Sequence, residues 1–364
     1  MQVICDGLEL CDAALKVSKA VGIKTTNPVL EGIRMVAEEQ TLTLCATDLE
    51  IGIECKIRAD VLKEGEAIIP GKLFSELVRK MTNEKIELCQ EDGKMMIKYC
   101  DSEGFISCIG SNEYPALINL DEGNYFEMSQ RDLKEVISKA IFAVASDESR
   151  PILKGCLFEI YQGELKCVAL DGFRLAIAKK AVKSSANFKI VLPSRCLSEI
   201  AKNLSDSDDV IGCVVGENYM VTNIDGCKII TRLMQGDYIN YRQILPNEHQ
   251  TEIVVCKAQF EAALERAILL SKTNQNNLVK LFVNENILTI SSNSEVGNIN
   301  EKVNISKNGP DITIAFNAQY FLECLKVCSD EFVKILFNKP IHPCQIIPTD
   351  GDKFFYLILP VRMI

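Results

Sequence analysis

The strongest constraint on the fold of this chain is an internal repeat with an offset of 123 residues. The segment PVLEG at residues 28–32 returns as PILKG at residues 151–155 (151 − 28 = 123). CATDLEIGI and VALDGFRLAI place Asp48 and Asp171 at the same offset (171 − 48 = 123). IIPGKLFSELVRKM and VLPSRCLSEIAKNL do the same for Pro70 and Pro193 (193 − 70 = 123). Three separate motifs at one offset indicate two copies of one structural unit.

A third, fainter copy occupies the last part of the chain. VKLFVNENILTISSNSEVGNI follows the pattern of residues 155–177, and Ser294 lies 123 residues beyond Asp171 (294 − 171 = 123). Glu323 lies 124 residues beyond Glu199 (323 − 199 = 124). We therefore predict three domains of ordinary size, residues 1–122, 123–249 and 250–364, with boundaries in polar stretches.

Each copy has the same order of predicted elements. An amphipathic helix comes first, then alternating strands with Gly or Asn turns, a second helix and further strands. The six predicted helices span residues 8–20, 71–81, 129–145, 194–204, 257–272 and 318–328. Two helices on a layer of antiparallel strands in each copy predict an α+β fold.

The charge balance is acidic overall but not in the predicted helices. The net charge is −10, which taken alone argues against binding to nucleic acid. The six helices carry 14 positive and 9 negative residues, so the rest of the chain carries −15. Ordinary solvated helix faces are the alternative explanation of this excess.

The 16 cysteines are scattered through apolar runs, and none forms a C-x-x-C pair. Cys324 and Cys328 could share a helix face, but no second pair or nearby histidine completes a zinc site. We expect the cysteines to be small buried hydrophobic residues in a reducing cytosol. The start lacks the pattern of a secretory signal. The sequence has no run of about 18 apolar residues, so we expect no membrane-spanning segment and no membrane partner.

The sequence contains none of the common catalytic motifs. P-loop, G-x-S-x-G, G-x-G-x-x-G and H-E-x-x-H patterns are absent, and the two histidines, His249 and His342, both lie near prolines. We predict no catalytic residue, no metal and no cofactor.

Several segments together resemble the bacterial DNA polymerase III beta subunit family, the sliding clamps. They are CATDLEIGI, RPILKGCLFE, LDGFRLAIA, GDYINYRQILP, FNAQYFLECLK and the closing LPVRMI, and the match runs from end to end. The resemblance implies a DNA-clamp fold and a head-to-tail homodimer that forms a ring of six domains. It implies non-specific, topological binding of duplex DNA in the cytoplasm, and no catalysis. The implied partners are a replicative polymerase subunit, the clamp loader and other proteins with clamp-binding peptides.

A size estimate agrees with two chains in such a ring. Six helices about 10 Å wide, set side by side, leave a hole of roughly 9 Å, whereas twelve leave roughly 28 Å. Two major-groove depths of about 8.5 Å put duplex DNA near roughly 20 Å. The helices of one chain therefore cannot surround DNA, and those of two chains can.

In this family a hydrophobic cleft between the second and third domains takes short linear peptides. The resemblance assigns the wall of the cleft to residues in the matched motifs. They are Leu153, Leu170, Gly172, Phe173, Arg174, Leu175, Ile239, Gln243, Ile244, Asn317, Tyr320, Ile341, Pro343, Ile358, Leu359, Pro360, Val361, Arg362 and Met363. Apolar anchors with a few polar groups suit a peptide groove, although core packing at a domain junction would use similar residues.

Three positions depart from the family pattern. Many members have Thr and His where this chain has Leu170 and Phe173, and Pro where it has Ile239. The resemblance therefore implies a more apolar pocket and a different peptide preference. The Asp171-Gly172 turn recurs in ATDLEIGI of the first copy, so Phe173 and Arg174 are what distinguish the second.

Two further sets of residues follow from the resemblance. The candidates for DNA contact are Lys24, Lys72, Arg79, Arg150, Arg195 and Lys202. The candidates for the dimer contact are Phe105 and Ile106 on one side and Leu269 and Leu270 on the other. A repeat scaffold that binds peptides but not DNA is the alternative function.

Overall fold

The computed structural model of the chain describes residues 1–23, 25–81, 84–110, 114–120, 122–147, 149–271, 277–295 and 297–362. Two of the predicted contact residues, Lys24 and Met363, lie outside these ranges, and so does the last residue, Ile364. The DNA contact predicted for Lys24 and the peptide contact predicted for Met363 therefore stay predictions.

The helices in the described ranges lie where the apolar periodicity predicts them. Helix α1 begins because the Asp6 carboxylate accepts hydrogen bonds from Leu8 N and Glu9 N, and Asn317 caps α6 in the same way. None of the described helices is long and apolar enough to cross a membrane. Their bounds are α1 (Gly7–Val17), α2 (Gly71–Val78), α3 (Gln130–Ser138), α4 (Ser194–Asn203), α5 (Lys257–Ser271) and α6 (Ala318–Val327).

Two of the observed α-helices are shorter than the ranges 8–20 and 129–145 that their apolar patterns predict. Each α-helix ends early and is followed by a 3-10 turn, Ser18–Ala20 after α1 and Ile141–Ala143 after α3. The buried faces are the predicted ones, including Leu10 and Val17 in α1 and Leu133 and Ile137 in α3. The apolar spacing therefore predicts the buried face of a helix better than it predicts where the helix ends.

The strands are mostly short and follow one another in hairpins. In the first half of the chain they are β1 (Gln2–Asp6), β2 (Gly32–Glu38), β3 (Thr41–Thr47), β4 (Ile51–Lys63), β5 (Gly65–Pro70), β6 (Lys85–Glu91), β7 (Lys94–Tyr99), β8 (Ser102–Ser107), β9 (Asn124–Ser129), β10 (Gly155–Tyr161), β11 (Glu164–Leu170) and β12 (Arg174–Ala181). In the second half they are β13 (Lys183–Ser184), β14 (Phe188–Pro193), β15 (Val210–Val215), β16 (Tyr219–Ile224), β17 (Cys227–Arg232), β18 (Thr251–Cys256), β19 (Leu278–Asn284), β20 (Ile287–Ser294), β21 (Gly297–Asn308), β22 (Ile312–Asn317), β23 (Phe332–Phe337), β24 (Cys344–Pro348) and β25 (Phe354–Ile358).

Residues 1–130 and 199–233 form one compact unit. Its strands pair in the order β9-β15-β16-β17-β4-β1-β6-β7-β8, and a branch from β4 continues through β3 and β2 to β5. Helices α1 and α2 pack together, with Leu10 and Phe74 buried between the helices and the sheet. Strand β17 pairs antiparallel with β4, with Thr231 opposite Ile51 and Cys227 opposite Cys55. We call this ladder the first seam, because it joins strands of two sequence copies.

Residues 131–198 and 234–364 form a second compact unit. Its strands pair in the order β14-β10-β11-β12-β25-β24-β23-β18-β21-β20-β19-β22. Strand β12 pairs antiparallel with β25, with Arg174 opposite Ile358 and Ala178 opposite Phe354. We call this ladder the second seam. It reproduces the first, since Arg174 and Ala178 lie 123 residues beyond Ile51 and Cys55 (174 − 51 and 178 − 55).

The second copy therefore supplies strands to both units, whose sheets each run from one copy into another. This division follows the continuity of the sheets. The domain boundaries at 122/123 and 249/250 stay a prediction beside it.

The repeated turn is the same structure in both copies. The Asp171 carboxylate accepts hydrogen bonds from Phe173 N (2.8 Å) and Arg174 N (3.0 Å). The Asp48 carboxylate accepts the equivalent pair from Glu50 N and Ile51 N, both at 3.0 Å. The residue after the aspartate has a positive φ in both, +92° at Gly172 and +76° at Leu49. Side-chain capping by the aspartate therefore holds the turn even where glycine is missing.

One expectation about the cysteines is wrong. Cys55 and Cys227, directly opposite in the first seam, form a disulfide with their Cα atoms 4.3 Å apart. Directly opposed residues of an antiparallel pair approach to about 4.5 Å at non-hydrogen-bonded positions, which brings two cysteine side chains together. The expectation of burial holds for Cys45, Cys156, Cys167, Cys213 and Cys324. Burial raises the pKa of the Cys45 thiol to about 11 and that of Cys213 to about 12.

We predict that Gly172→Ala destabilises the protein by about 1 kcal/mol. A Cβ atom at Gly172 would meet nothing within 4 Å, so the cost comes from the positive φ alone. The measurement is the shift of the thermal unfolding midpoint. Gly110→Ala is the matched control, since that glycine is equally uncrowded and does not have a positive φ. Equal effects of the two substitutions would contradict the prediction.

Candidate functional site

The turn between β11 and β12 presents a pair of stacked aromatic rings on the second unit. The Phe173 side chain is 60% exposed, and its ring lies against Tyr320 with centroids 6.4 Å apart and planes inclined by 23°. Tyr320 belongs to the first turn of α6, whose position is fixed by the Asn317 cap, a hydrogen bond of 2.9 Å from Gln319 N. The two rings form an apolar platform open to solvent.

Arg174 lies behind this platform and is nearly buried. Its Nε donates to Asp171 Oδ2 (3.0 Å), one terminal nitrogen donates to Glu323, and the other donates to the Phe142 carbonyl oxygen (2.7 Å). The guanidinium also lies 4.7 Å from the centroid of the Tyr320 ring. Burial acts to lower the pKa of Arg174, but the carboxylates of Glu323 and Asp171 outweigh it and raise the pKa. Arg174 therefore ties the turn to α6 and the 3-10 turn after α3.

Three of the predicted groove residues form the floor beneath the turn rather than its surface. Leu153, Leu170 and Leu175 are 1–3% exposed and belong to one buried cluster with Tyr241. Ile239 is half-buried and packs against the same cluster. Core packing, the alternative explanation from the sequence, would bury these three leucines in the same way.

A cavity of about 330 Å³ opens beside the turn. Three of the predicted groove residues, Leu153, Gly172 and Phe173, line it. Arg150, predicted from its position to contact DNA, forms part of the same wall. The wall also includes three residues that the sequence did not indicate, Ala145, Asp147 and Ser149.

The segment that carries Gln243 and Ile244 is anchored by a buried carboxylate. Glu159 is 3% exposed; it accepts a hydrogen bond from Tyr241 Oη (2.8 Å) and forms ion pairs with Lys189 Nζ (2.9 Å) and Arg242. Burial acts to raise the pKa of Glu159, but hydrogen bonds from Lys189, Tyr241 and Arg242 outweigh it and lower the pKa. The anchor leaves the side chains of Gln243 and Ile244 exposed.

The C-terminal residues extend the second seam past the turn. Leu359 N donates to the Phe173 carbonyl oxygen (2.8 Å), and Val361 N donates to the Ala315 carbonyl oxygen (2.8 Å). Ile358 is buried, Pro360 and Val361 are half-buried, and Leu359 and Arg362 are exposed. Of the remaining predicted wall residues, Ile341 is exposed, and Pro343 and Asn317 are half-buried. The seam therefore brings the tail beside Phe173.

The comparisons with known proteins cover the whole chain. Models of the DNA polymerase III beta subunit match in chain order: the N-terminal domain at residues 1–118, the central domain at 127–240 and the C-terminal domain at 242–362. The beta sliding clamp of Halalkalibacterium halodurans is 32% identical in an alignment 362 residues long that covers 95% of each chain. The chain belongs to the DNA polymerase III beta subunit family.

Solved clamp structures agree with this assignment. The DNA polymerase sliding clamp of Bacillus subtilis is 29% identical, and the two chains superpose over 100% of each with a TM-score of 0.96. A sliding clamp of Pseudomonas aeruginosa bound to griselimycin is 25% identical, with a TM-score of 0.94 over 100% of each chain. The clamp fold expected from the sequence, α+β with three repeated domains, is confirmed.

Four of the basic residues predicted to contact DNA occupy equivalent positions in two of the sequence copies. Lys72 and Arg79 on and after α2 are exposed, and so are Arg195 and Lys202 on α4. Each pair is seven residues apart, which places both members on one helix face. The pairs are related by the repeat offset (195 − 72 = 123 and 202 − 79 = 123). Lys202 also forms an ion pair with Glu199 at 2.7 Å.

The four residues assigned to the dimer contact differ in exposure. Phe105 on β8 is 56% exposed, with Lys94 Nζ 4.4 Å from its ring centroid, whereas Ile106 is buried. Leu269 on α5 is 65% exposed, and Leu270 is half-buried. Strand β8 ends the sheet path of the first unit in the described part of the chain. Of these four side chains, Phe105 and Leu269 are the exposed ones, and the dimer contact itself stays a prediction.

Sequence reasoning missed how Arg174 is held. Its equivalent in the first copy is Ile51, a buried apolar residue of the first seam (174 − 51 = 123). A charge at a buried strand position needs buried partners, so this difference between copies was the available signal. Glu323 and Asp171 supply the opposite charge, and the Phe142 carbonyl supplies the remaining acceptor.

We predict that Glu159→Gln destabilises the protein by about 2 kcal/mol at neutral pH, because it removes charge from a buried acceptor of three donors. The lowered pKa means that the contribution of Glu159 is complete above the usual glutamate pKa of 4.5 and is lost as the pH falls through the lower folded-state value. The difference between wild type and variant should therefore shrink at acidic pH, measured by thermal unfolding.

Glu164→Gln is the matched control for this prediction. Glu164 starts the neighbouring strand, and both side chains of its 3.2 Å ion pair with Lys166 are partly exposed. It should change stability by less than about 0.5 kcal/mol. A pH-independent loss in Glu159→Gln would contradict the electrostatic explanation.

Proposed function

We propose that the protein is a DNA polymerase processivity clamp without catalytic activity. Two chains form a head-to-tail ring around duplex DNA, slide without sequence preference and tether polymerases through the groove beside Phe173. The observation that carries the proposal is superposition on sliding-clamp structures over the whole chain, at a TM-score of 0.96 for the Bacillus subtilis clamp. The proposed domains are residues 1–122, 123–249 and 250–364, and the proposed location is the cytoplasm.

DNA binding in this proposal is topological and electrostatic. The chain has a net charge of −10, so its affinity for a phosphate backbone cannot come from total charge. The repeated exposed pairs, Lys72 with Arg79 and Arg195 with Lys202, supply local positive charge that positions DNA without reading bases. Lys24 and Arg150 complete the proposed set. A closed ring would retain the DNA even when weak contacts of this kind break.

The groove proposal is supported by the exposed apolar side chains around the second seam. Phe173 and Leu359 are exposed and joined by a main-chain hydrogen bond, and Ile244 and Ile341 of the same unit are exposed as well. Exposed apolar side chains that lie together mark an interaction surface. The proposed ligands are short peptides of a replicative polymerase subunit, the clamp loader and other clamp-binding proteins. The buried leucines form the floor, and Arg174 positions the turn that carries Phe173.

We expect a loader to place the protein on circular DNA, where it is retained after gel filtration, and to lose it from the same DNA after linearisation. Retention on a closed circle follows from encirclement, because a ring has no end to slide from. The measurement is protein co-eluting with DNA before and after cutting at one site. Equal loss from both forms would favour a peptide-binding scaffold that does not encircle DNA.

A dimer-contact variant tests the ring itself. Leu269→Asp places a charge on a proposed apolar contact, and we expect a monomer by light scattering and no retention on circles. Val210→Asp is the matched control, because Val210 is 66% exposed and Leu269 is 65% exposed. Val210→Asp should remain dimeric and be retained.

We predict that Phe173→Ala weakens binding of a fluorescent polymerase peptide about 10-fold, since loss of about 1.4 kcal/mol is tenfold. The dimer should persist, because Phe173 lies on the proposed groove and not on the proposed dimer contact. Tyr161→Ala is the control, since Tyr161 is an exposed aromatic residue of the same unit outside the groove. Unchanged affinity in Phe173→Ala would move the peptide site elsewhere.

A further inference from the structure

The first seam contains a covalent bond that the second seam cannot form. Cys55 and Cys227 face each other at one end of the ladder and are linked as a disulfide. The equivalent position of Cys55 in the second seam is Ala178 (178 − 55 = 123), and Ala178 faces Phe354. Two ladders with the same five-pair register therefore differ in whether a thiol pair stands at the equivalent end.

The end of the ladder is where a link has most effect. Cys227 is the first residue of β17 and follows a tight turn at Asp225 and Gly226, both with positive φ. Terminal pairs of a ladder open most readily, because fewer neighbouring hydrogen bonds hold them. The disulfide spans 172 residues of sequence, so it joins strands that the chain alone brings together only through folding.

The two cysteines are almost completely buried, but both border a cavity. Cys55 is 2% exposed and Cys227 is 6% exposed. Both form part of the wall of a cavity of about 380 Å³ that also borders α1 at Ala13. A water molecule occupies about 30 Å³, so the cavity has room for a small oxidant such as a peroxide.

We propose that Cys55 and Cys227 are a thiol-oxidation site that closes the first seam in response to peroxide and opens it when a dithiol reduces the S–S bond to two thiols and itself becomes a disulfide. One thiolate attacks an oxygen of hydrogen peroxide, the O–O bond breaks, and a sulfenic acid and one water form after protonation. The second thiol sulfur then displaces the sulfenic oxygen, forming the S–S bond and releasing a second water. Two thiols lose two electrons to one peroxide, which is reduced to two waters.

The remaining described cysteines make this pair distinctive. Cys156 and Cys167 are neighbouring buried thiols in the second unit and are not bonded. Cys324 and Cys328, spaced four residues apart on and after α6, are also free. Proximity alone therefore does not make a disulfide in this protein, and direct opposition across a ladder does.

The test counts thiols on the whole protein. Protein reduced with dithiothreitol should take up 16 alkyl groups when denatured, one for each cysteine in the chain. After brief treatment with hydrogen peroxide it should take up 14, and a non-reducing peptide map should join residue 55 to residue 227. Sixteen groups after peroxide, or a link between another pair, would overturn the assignment.

A second measurement tests whether the bond closes the seam. In the oxidised protein, backbone hydrogen exchange at residues 51–55 and 227–231 should slow at least 5-fold relative to the reduced protein, while residues 174–178 and 354–358 stay unchanged. The unfolding midpoint should rise by roughly 5 °C. If the disulfide forms and neither the hydrogen exchange nor the unfolding midpoint changes, the proposal that the bond closes the first seam is wrong.

Cys55→Ser and Cys227→Ser should each abolish both responses to peroxide, and Cys89→Ser, at a partly exposed free cysteine, should keep them. The oxidised and reduced wild-type proteins share one sequence, so a folding defect in a variant leaves the test intact. The experiment uses no DNA and no peptide, so its outcome is independent of the proposed function.

Discussion

Main-chain pairing across the two seams is the interaction on which the rest of the structure depends. Each seam is a five-residue antiparallel ladder that joins a strand of the second copy to a strand of a neighbouring copy. Backbone groups at a sheet edge need partners, and the neighbouring copy supplies them. Three repeated sequences thereby become two continuous sheets, each with helices packed against it.

The second seam also determines which residues lie at the proposed groove. The register that pairs Arg174 with Ile358 sets the Phe173 turn beside the C-terminal tail, and Leu359 is the next residue of that tail.

 The Phe173 carbonyl accepts the hydrogen bond from Leu359 N as the continuation of that ladder, as Glu50 does from Arg232 N in the first copy. A buried arginine at the start of β12 is tolerated because two carboxylates and a carbonyl oxygen surround it. The wall of the proposed groove thus follows from sheet pairing, together with an arginine at the position that Ile51 occupies in the first copy.

Much of the fold could be predicted from the sequence, because it depends on local periodicity and on the repeat. The buried faces of α1, α3 and α5 follow from apolar spacing, and the shared turn follows from Asp48 and Asp171. The candidate site was less predictable. The Arg174–Glu323 ion pair, the Tyr241–Glu159 hydrogen bond and the Cys55–Cys227 bond join residues that are 149, 82 and 172 positions apart in sequence. No local pattern encodes such contacts, and the repeat reveals them only where the copies differ.

The shared strands have a consequence for how this chain can be divided. The central copy lends β17 to one sheet and β12 to the other, so it has a neighbour's strand on each of these two edges. Excised as a fragment, it would carry two open edges lined by backbone donors and acceptors, the arrangement from which edge-to-edge aggregation starts. The three copies share a sequence pattern, but the middle copy is the one least suited to fold as an isolated domain.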